Sequence, residues 1–487
     1  MQTRGNPRLP IDVMLEIMDV SPTPTVATLM KTCRKLYHEG PKRIFAECPH
    51  IEDSPGDALL RSFCLFLLAE HGTRFPYLRK IRFDMVAQEE DVVAMLYDCI
   101  KKMTHLEVLI FDVDLDALLD CHPKYAAAFS DLRTIKHLEV AAGGPDCFDM
   151  LKNMRSQLVN VELQMWDTTN TRDLTLEQDL NPVTLLEHSS GTLERLECER
   201  WYPIRFHSGN PRYPAMRRLT LDNESVPSRA ALVQVYPNLT HLYFRWVDFE
   251  IPVDEDSWEV MLSEAFEANS ATPSSLSWTE LEEVRGTTGI IWALALRCRV
   301  RRLDLSNVRN HGDRVMLSSL LRRTHPTHLG LATAGAFFDE EIEDSMKQIF
   351  SQEAASGLRS LDLRLDFDPD DLLEISEYME YVQYTVTQLQ LEELSLHISG
   401  THFAQYDQHD PNIVRPFGAS GVYLWDLDLR ALANVFMDRM PTLKKIRANV
   451  DTTVRIEFPV ELNDILITRT SAGAERCVVM GKEDRGS

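Results

Sequence analysis

The chain has 487 residues, of which 44% are hydrophobic and 26% are charged, the composition of a folded protein and not of a disordered one. Its formal net charge of −24 makes nucleic acid and anionic membranes poor partners, because the surface repels phosphate groups. A chain of this length exceeds one ordinary domain unless it is a repeat array, which grows along one axis.

The N-terminal tail, residues 1–8, lacks the apolar run of a signal peptide. The most apolar stretch that follows, residues 58–69, is too short to span a bilayer and contains Arg61. Nine cysteines are an odd number, and the absence of a C-x-x-C pair favours reduced thiols over a disulfide framework. We therefore expect a protein of the cytoplasm and/or the nucleus, with no membrane partner.

Residues 9–48 are predicted to form a module of three short helices. The first helix follows Pro10, which favours a helix start, and the Ser-Pro-Thr-Pro-Thr segment from Ser21 ends it. A third short helix is expected around residues 44–45, after Gly40 and Pro41. Apolar residues recur at helical spacing in two stripes, Val13, Met14, Ile17 and Met18, then Val26, Leu29, Met30, Cys33 and Tyr37. About 40 residues bury too little to be robust alone, so the module needs a partner, either the rest of the chain or another protein.

Several residues of this module follow the pattern of a known family. They are Leu9, Pro10, Asp12, Val13, Ile17, Met18, Val26, Leu29, Cys33, Arg34 and Tyr37. On these residues the module resembles the F-box, whose pattern opens with Leu-Pro and an acidic residue and ends its second helix aliphatic-x-x-x-Cys-Arg/Lys-x-aromatic. The chain departs from that pattern at Ser21, Thr25 and Leu36, where an aliphatic residue, an Asp and a Trp are usual.

In F-box proteins this module binds a Skp-type adaptor, which links it to a cullin scaffold. The resemblance implies an adaptor-binding surface that consists of Leu9, Pro10, Val13, Ile17, Met18, Val26, Leu29, Met30 and Cys33. The alternative is a helical cap that seals the first unit of a repeat array.

Residues 57–470 contain a recurring segment of the form aliphatic-x-x-aliphatic-x-aliphatic. The x positions are mostly charged or polar, which predicts short strands with one buried and one solvated face. Thirteen copies, about 30 residues apart on average, start at Leu78, Leu106, Ile135, Leu158, Leu193, Met216, Leu239, Leu281, Val300, Pro326, Leu358, Leu391 and Leu443.

Between these segments lie stretches of helical period, among them 91–103, 257–269, 312–324, 340–355 and 425–440. One strand and one helix in 20–30 residues resembles the leucine-rich repeat. The sequence therefore predicts an α/β chain in which about 12–13 repeats form an irregular solenoid, with parallel strands on the concave face and helices outside. The Asn that usually follows the repeat strand is mostly missing, so backbone groups normally bound by an Asn ladder need other partners.

Two segments of the chain do not fit the repeat. Residues 399–421 contain Gly, Pro and Asp and are predicted to form a protruding loop. Residues 471–487 are predicted to form a flexible C-terminal tail.

No sequence motif indicates catalysis, a cofactor or a metal. The nearest imitation is a calcium loop at Asp366, Asp368, Asp370 and Glu377, but Asp371 stands where that loop requires Gly and Pro369 stiffens the turn. We interpret the segment as a solvated connection between strand and helix. We therefore expect that the chain is not an enzyme and needs no cofactor.

The exposed strand positions are the candidate contacts for a target protein. In each segment the third, fifth and seventh residues alternate with buried ones, and Arg, Tyr and Trp are enriched at binding hot spots. The candidates at the centre of the array are Arg195, Trp201, Arg218, His241, Tyr243, Arg245 and Trp246. Together with the F-box resemblance they favour the substrate-recognition subunit of an SCF-type (cullin-RING) ubiquitin ligase. The alternatives are a leucine-rich-repeat scaffold or inhibitor unconnected to ubiquitin, and an enzyme with a closed polar pocket.

Overall fold

The computed structural model describes residues 9–52, 57–86, 89–165, 181–199, 209–222, 226–245, 255–308, 311–334, 350, 355–367, 375–406, 414–416, 418–454, 458–469 and 475–479. The chain divides into two compact units, Met1–Glu224 and Ser225–Ser487. We refer to them as unit 1 and unit 2.

Unit 1 opens with three short helices, α1 (Ile11–Asp19), α2 (Thr23–Met30) and α3 (Arg34–Ile44). Proline precedes both α1 and α2, and the Pro10 carbonyl accepts the first helical hydrogen bond from the Met14 amide at 3.1 Å. The side chains of Met18, Val26, Met30 and Leu36 form the core of this helical module. Residues 9–48 are therefore helical, as predicted from their apolar spacing.

The boundaries inside the helical module differ from the prediction. The second apolar stripe does not lie on one helix, because α2 ends at Met30 and α3 begins after Cys33. Gly40 and Pro41 lie within α3 and do not precede it. A Cβ at Gly40 would collide with the Met30 side chain, so the glycine permits close packing of α3 on α2.

The rest of unit 1 alternates helices and strands. Its strands are β1 (His50–Glu52), β2 (Lys80–Asp84), β3 (Val108–Asp114), β4 (His137–Gly143), β5 (Asn160–Met165), β6 (Arg195–Glu199) and β7 (Arg218–Asp222). Each strand pairs in parallel with the next one along the chain. The intervening helices are α4 (Asp57–Gly72), α5 (Glu90–Ile100), α6 (Leu115–Asp120), α7 (Tyr125–Ser130), α8 (Pro145–Lys152) and α9 (Pro182–Leu185), with 3₁₀ turns at Phe75–Tyr77 and Glu187–Ser189.

Unit 2 also alternates strands and helices, but its C-terminal strands pair differently from those of unit 1. Its strands are β8 (His241–Arg245), β9 (Glu280–Thr287), β10 (Arg299–Val308), β11 (His328–Ala334), β12 (Ser360–Phe367), β13 (Glu393–Tyr406), β14 (Val414–Pro416), β15 (Lys445–Val454), β16 (Phe458–Arg469) and β17 (Glu475–Val479). Its described helices are α10 (Arg229–Val235), α11 (Glu255–Ala271), α12 (Thr288–Ala293), α13 (His311–Thr324), α14 (Ile375–Val386), α15 (Gly418–Asp426) and α16 (Leu429–Arg439). Strands β8 to β13 and then β15 are parallel neighbours, whereas β14, β16 and β17 pair antiparallel.

All thirteen predicted segments contribute their central aliphatic residue to a strand. In unit 1 these residues are direct partners along the ladder, Ile81, Leu109, Leu138, Val161, Leu196 and Leu219. In unit 2 the matching ladder runs through Leu242, Val284, Leu303, Leu329, Leu361, Leu394 and Ile446. The structure thus confirms a mixed α/β chain with mostly parallel strands and intervening helices, an arrangement compatible with a solenoid-like fold.

Three segments differ from the prediction. Strand β1 lies before residue 57, where the array was expected to begin. Residues 399–421 are not a loop throughout, because β13 continues to Tyr406 and pairs with β14. Strand β17 lies inside the predicted tail, where the β-branched Val478 and Val479 extend the sheet against β16. The predicted helix at 340–355 falls largely outside the described residues.

Buried serines bridge the turns that precede the strands of unit 1. The Ser156 hydroxyl donates to the Leu132 carbonyl at 2.7 Å and accepts from the Ile135 amide at 3.2 Å. One repeat further on, Ser189 donates to the Ser156 carbonyl at 3.3 Å and accepts from the Leu158 amide at 3.0 Å. Both serines are fully buried. Each hydroxyl therefore ties the turn of one repeat to the backbone of the repeat before it.

A buried arginine has the corresponding role in unit 2. Arg229 is fully buried, and its guanidinium donates to the carbonyls of Ala295 and Asn269, the latter at 2.9 Å. The Asn269 side chain accepts from the Arg229 amide at 2.8 Å and donates to the Ala293 carbonyl at 2.9 Å. These carbonyls lie at the C-terminal ends of α11 and α12, where the helix dipole favours a cation. Burial lowers the pKa of Arg229.

The substitution Ser156→Ala should lower the free energy of unfolding of the chain by about 1–3 kcal/mol, because the Ile135 amide and the Leu132 carbonyl lose their partner inside the protein. Urea denaturation followed by circular dichroism measures the change. The exposed Thr184→Ala is the control and should stay within about 0.5 kcal/mol of the parent chain. An equal effect of the two substitutions would contradict the bridging role.

The substitution Arg229→Met should destabilise unit 2 by about 2–4 kcal/mol, because two or three helix-end carbonyls are left buried and unpaired. The substitution also removes the desolvation cost of a buried cation, which opposes this loss. That gain does not cancel the loss, since the guanidinium is hydrogen-bonded on several sides. Thermal unfolding of the full chain tests the prediction, with exposed Arg299→Met as the control. A variant as stable as the parent would show that the buried charge costs as much as its hydrogen bonds contribute.

Candidate functional site

The helical module presents exposed apolar side chains on α1 and at its two ends, which we call the α1 stripe. Leu9, Val13, Ile17 and Val20 are 60%, 38%, 39% and 85% exposed. Val13 and Ile17 lie four residues apart on one face of α1, Leu9 lies two residues before the helix, and Val20 is its C-cap residue. Large apolar side chains that recur on one helix face are more informative than scattered exposed ones, because contiguous apolar surface marks an interaction site.

The predicted adaptor-binding residues fall into two groups. Leu9, Pro10, Val13, Ile17 and Cys33 are exposed, and Leu29 is half-buried. Met18, Val26 and Met30 instead lie in the core of the module, at 0%, 2% and 6% exposure. Burial of these three side chains between α1, α2 and α3 disfavours a direct contact with an adaptor. Leu36, at the position where the F-box pattern often has Trp, is also fully buried.

The helical module is attached to the rest of unit 1 by aromatic residues and one arginine. Phe45 is 3% exposed and packs edge-on against Phe63 and Phe66 of α4, at ring separations of 6.3 and 5.6 Å. Arg74 donates to the Tyr37 hydroxyl at 2.6 Å and to the Phe66 carbonyl at 2.8 Å. Its guanidinium also lies 3.9 Å from the centre of the Phe66 ring. The module is thus integrated into unit 1 through α4.

Along each strand, buried aliphatic residues alternate with residues whose side chains point to the opposite side. We call this opposite side the outer strand face. In unit 1 it is acidic, since Glu139, Glu162 and Glu197 are direct partners on β4, β5 and β6. The candidate Arg195 binds Glu162 at 3.0 Å and Glu197 at 2.9 Å. Burial, and after it the neighbouring carboxylates, raises the pKa of Glu139. Arg195 therefore neutralises part of a row of like charges that would otherwise be destabilising.

Two other candidates belong to this part of the chain. Arg218 is the direct partner of Arg195 on β7 and is half-buried. Trp201 lies outside the described residues. Arg195 and Arg218 are thus neighbours on the outer strand face of unit 1.

In unit 2 the candidates of β8 alternate as predicted. His241, Tyr243 and Arg245 lie on the outer strand face, whereas Leu242 and Phe244 are buried. The Tyr243 hydroxyl donates to Glu283 at 3.0 Å. The His241 ring meets the Tyr243 ring edge-on at 6.1 Å. Trp246 lies outside the described residues.

A pocket of ≈ 470 Å³ adjoins these residues on the outer strand face of unit 2. It extends from β8 to β12, and Arg245 forms part of its wall. The other polar or small residues that line it are Arg285, Gly286, Arg302, Asp304, Ser306, Gly330, Ala332, Asp362 and Arg364. Sequence reasoning identified only Arg245 in this set. The third, fifth and seventh positions of the segments that start at residues 281, 300, 326 and 358 include most of the other residues that line the pocket.

The described residues show neither a metal cluster nor a membrane span. No group of three or more His, Cys, Asp or Glu side chains in this part of the chain is arranged to hold a metal ion. None of the helices that the structure describes combines the length and apolar character needed to cross a bilayer.

Comparison with known proteins assigns no family. No protein-family model matches the chain, and no curated protein is significantly similar to it in sequence.

Proposed function

We propose that this chain is the substrate-recognition subunit of an SCF-type ubiquitin ligase. In this proposal the helical module is an F-box that binds a Skp-type adaptor and, through it, a cullin scaffold. The strands and helices that follow are leucine-rich repeats whose outer strand face binds the target protein. The observation that carries the proposal is the α1 stripe, the exposed apolar side chains of Val13 and Ile17 on α1 and of Leu9 and Val20 at its two ends.

The stripe supports adaptor binding because the module does not need it for its own core. Met18, Val26, Met30 and Leu36 already fill the space between the three helices. A helix that only closed a core would place its polar residues outward. Apolar surface on the opposite side offers area that a protein partner can remove from water, at about 25 cal/mol per Å².

The proposed activity is positioning and involves no chemistry by this chain. A target held on the repeats and an adaptor held on the module bring the target near a ubiquitin-charged enzyme, which raises its local concentration. The proposed location is the cytoplasm and/or the nucleus, where that machinery acts.

A second candidate is a leucine-rich-repeat scaffold or inhibitor unconnected to ubiquitin. The packing of Phe45 and Arg74 between the module and α4 favours it, because a helical cap would make the same contacts. The two candidates differ at the α1 stripe, which a cap does not require.

The substitution Ile17→Asp should weaken binding of a purified Skp-type adaptor by more than about 100-fold, because a carboxylate would be buried without a partner in the complex. Calorimetric titration of the full chain measures this, and Leu9→Ala combined with Pro10→Ala should also reduce binding. Glu16→Ala, on an exposed residue of the same helix, is the matched control. Ile17 is 39% exposed, so the folded chain should tolerate the charge. An unchanged dissociation constant would reject the F-box assignment.

Deletion of the module is a poorer test than point substitution. Phe63 and Phe66 of α4 contact Phe45, and Phe66 also packs on the core of the module. A chain that starts at Asp57 would expose these rings and should aggregate. Its failure to bind the adaptor would therefore not separate docking from folding.

The substitutions Tyr243→Ala and Arg245→Glu should each reduce recovery of target proteins without unfolding the chain, because both residues lie on the outer strand face. Recovery is measured by affinity purification from cells under proteasome inhibition, followed by mass spectrometry. Arg299→Glu, at the exposed start of β10, is the control. A loss of many degrees in melting temperature would show that these side chains support the fold instead of binding a target.

A further inference from the structure

We propose that a second pocket, on the helix side of unit 1, binds an acidic segment of a partner polypeptide that carries an apolar side chain. The pocket lies between the C-terminal end of α5, the helix α7 and the turns that lead into β3 and β4. We call it the α5–α7 pocket. The proposal is independent of the proposed function, because neither the α1 stripe nor the outer strand face contributes a residue to this pocket.

The α5–α7 pocket exists because α7 presents small side chains. Ala127 and Ala128 form part of its wall, and Ala127 is exposed. The buried Leu132 and the ring of Tyr97 add further apolar surface. The volume of ≈ 590 Å³ is in the range of pockets that bind a large side chain or a small molecule. One apolar side chain of a ligand can therefore be removed from water here.

Three cationic side chains surround this apolar surface. Lys101, Lys124 and Arg133 line the pocket with one carboxylate, Asp131, which gives a formal local charge of +2 in a chain whose net charge is −24. All three cationic residues are exposed. Asp131 binds Arg155 at 3.2 Å, so its charge is already compensated by a residue that does not line the pocket. The pocket therefore attracts anionic groups that the chain as a whole repels.

Ion pairing within the chain does not account for these cations. Among the described residues, no carboxylate pairs with Lys101, Lys124 or Arg133. The Lys101 ammonium instead lies 5.2 Å from the centre of the Tyr97 ring, which stacks on the His122 ring at 4.8 Å. Lys124 is the N-cap residue of α7, where the helix dipole disfavours a positive charge, and its side chain makes no capping hydrogen bond. A carboxylate of a ligand would supply the ion-pair partner that the fold does not.

Separate carboxylates fit this arrangement better than one phosphate group does. A phosphate group concentrates its charge on a few oxygens and is bound best by guanidinium groups that converge on it. Here the cations come from three different parts of the chain, and two of them are lysines, which act as point charges on flexible stems. An acidic segment offers one carboxylate to each cation. An apolar residue between its acidic residues can then enter the gap beside Ala127.

The test uses the purified full chain and the peptide acetyl-Glu-Glu-(4-fluorophenylalanine)-Glu-Glu-amide at low ionic strength. Fluorine NMR line broadening of the peptide measures binding. Lys101→Gln and Arg133→Gln should each weaken binding at least about threefold, since each removes one ion pair with the ligand. Lys102→Gln is the matched control, because it removes the same charge from the neighbouring exposed residue, which does not line the pocket.

Further comparisons separate the pocket from a general attraction between charges. Ala127→Leu leaves every charge in place and should fill the gap, so it should also reduce binding. Thermal unfolding checks that each variant is folded. A peptide with glutamine in place of all four glutamates should bind at least about tenfold more weakly, because it offers no carboxylates to the three cations. Inorganic phosphate at the concentration of the peptide should not displace it.

Four results would overturn the proposal. They are no broadening with the parent chain, equal weakening by Lys101→Gln and Lys102→Gln, unchanged binding by Ala127→Leu, and displacement of the peptide by an equal concentration of inorganic phosphate. The last result would identify a site for small anions instead. The titration contains neither adaptor nor target protein, so its failure would leave the proposed function standing. Failure of the adaptor experiment would likewise leave this pocket standing.

Discussion

The in-register pairing of one aliphatic residue in each strand is the constraint on which the rest of both units depends. In unit 1 the ladder passes through Ile81, Leu109 and Leu138, and in unit 2 through Leu303, Leu329 and Leu361. A slip by one residue would turn every buried side chain of that strand to solvent. Because the aliphatics fix the register, they also determine which polar residues become direct neighbours on the outer strand face.

The second requirement is that buried backbone groups in the turns find hydrogen-bond partners, and each unit meets it differently. Ser156 and Ser189 supply a hydroxyl to the preceding repeat in unit 1, whereas Arg229 binds several helix-end carbonyls at once in unit 2. A short hydroxyl serves one turn, and a long guanidinium reaches two helices. Buried backbone groups of the turns thus find different side-chain partners in the two units.

The same ladder produces a different polar surface in each unit. Direct partnership of Glu139, Glu162 and Glu197 makes the outer strand face of unit 1 acidic, with Arg195 as a partial neutraliser. In unit 2 the small residues Gly330 and Ala332 open a gap that arginines surround. The first arrangement costs stability through like charges at close range, whereas in the second Asp304 pairs with both Arg285 and Arg302. The proposed target contacts on β8, among them Arg245, adjoin the second surface.

The sequence by itself determined the strands and the type of fold, because the aliphatic-x-x-aliphatic-x-aliphatic period identifies strands from neighbouring residues alone. It also determined the outward position of His241, Tyr243 and Arg245, since alternation is a local property. Only the tertiary structure decided that Met18 lies inside the helical module while Ile17 lies outside, because two apolar neighbours on a helix differ only in what packs on them. The tertiary structure also decided the pocket at Gly330, because that pocket requires β10, β11 and β12 to pair in register. The residues that line it are far apart along the chain, and a local pattern cannot show that they meet.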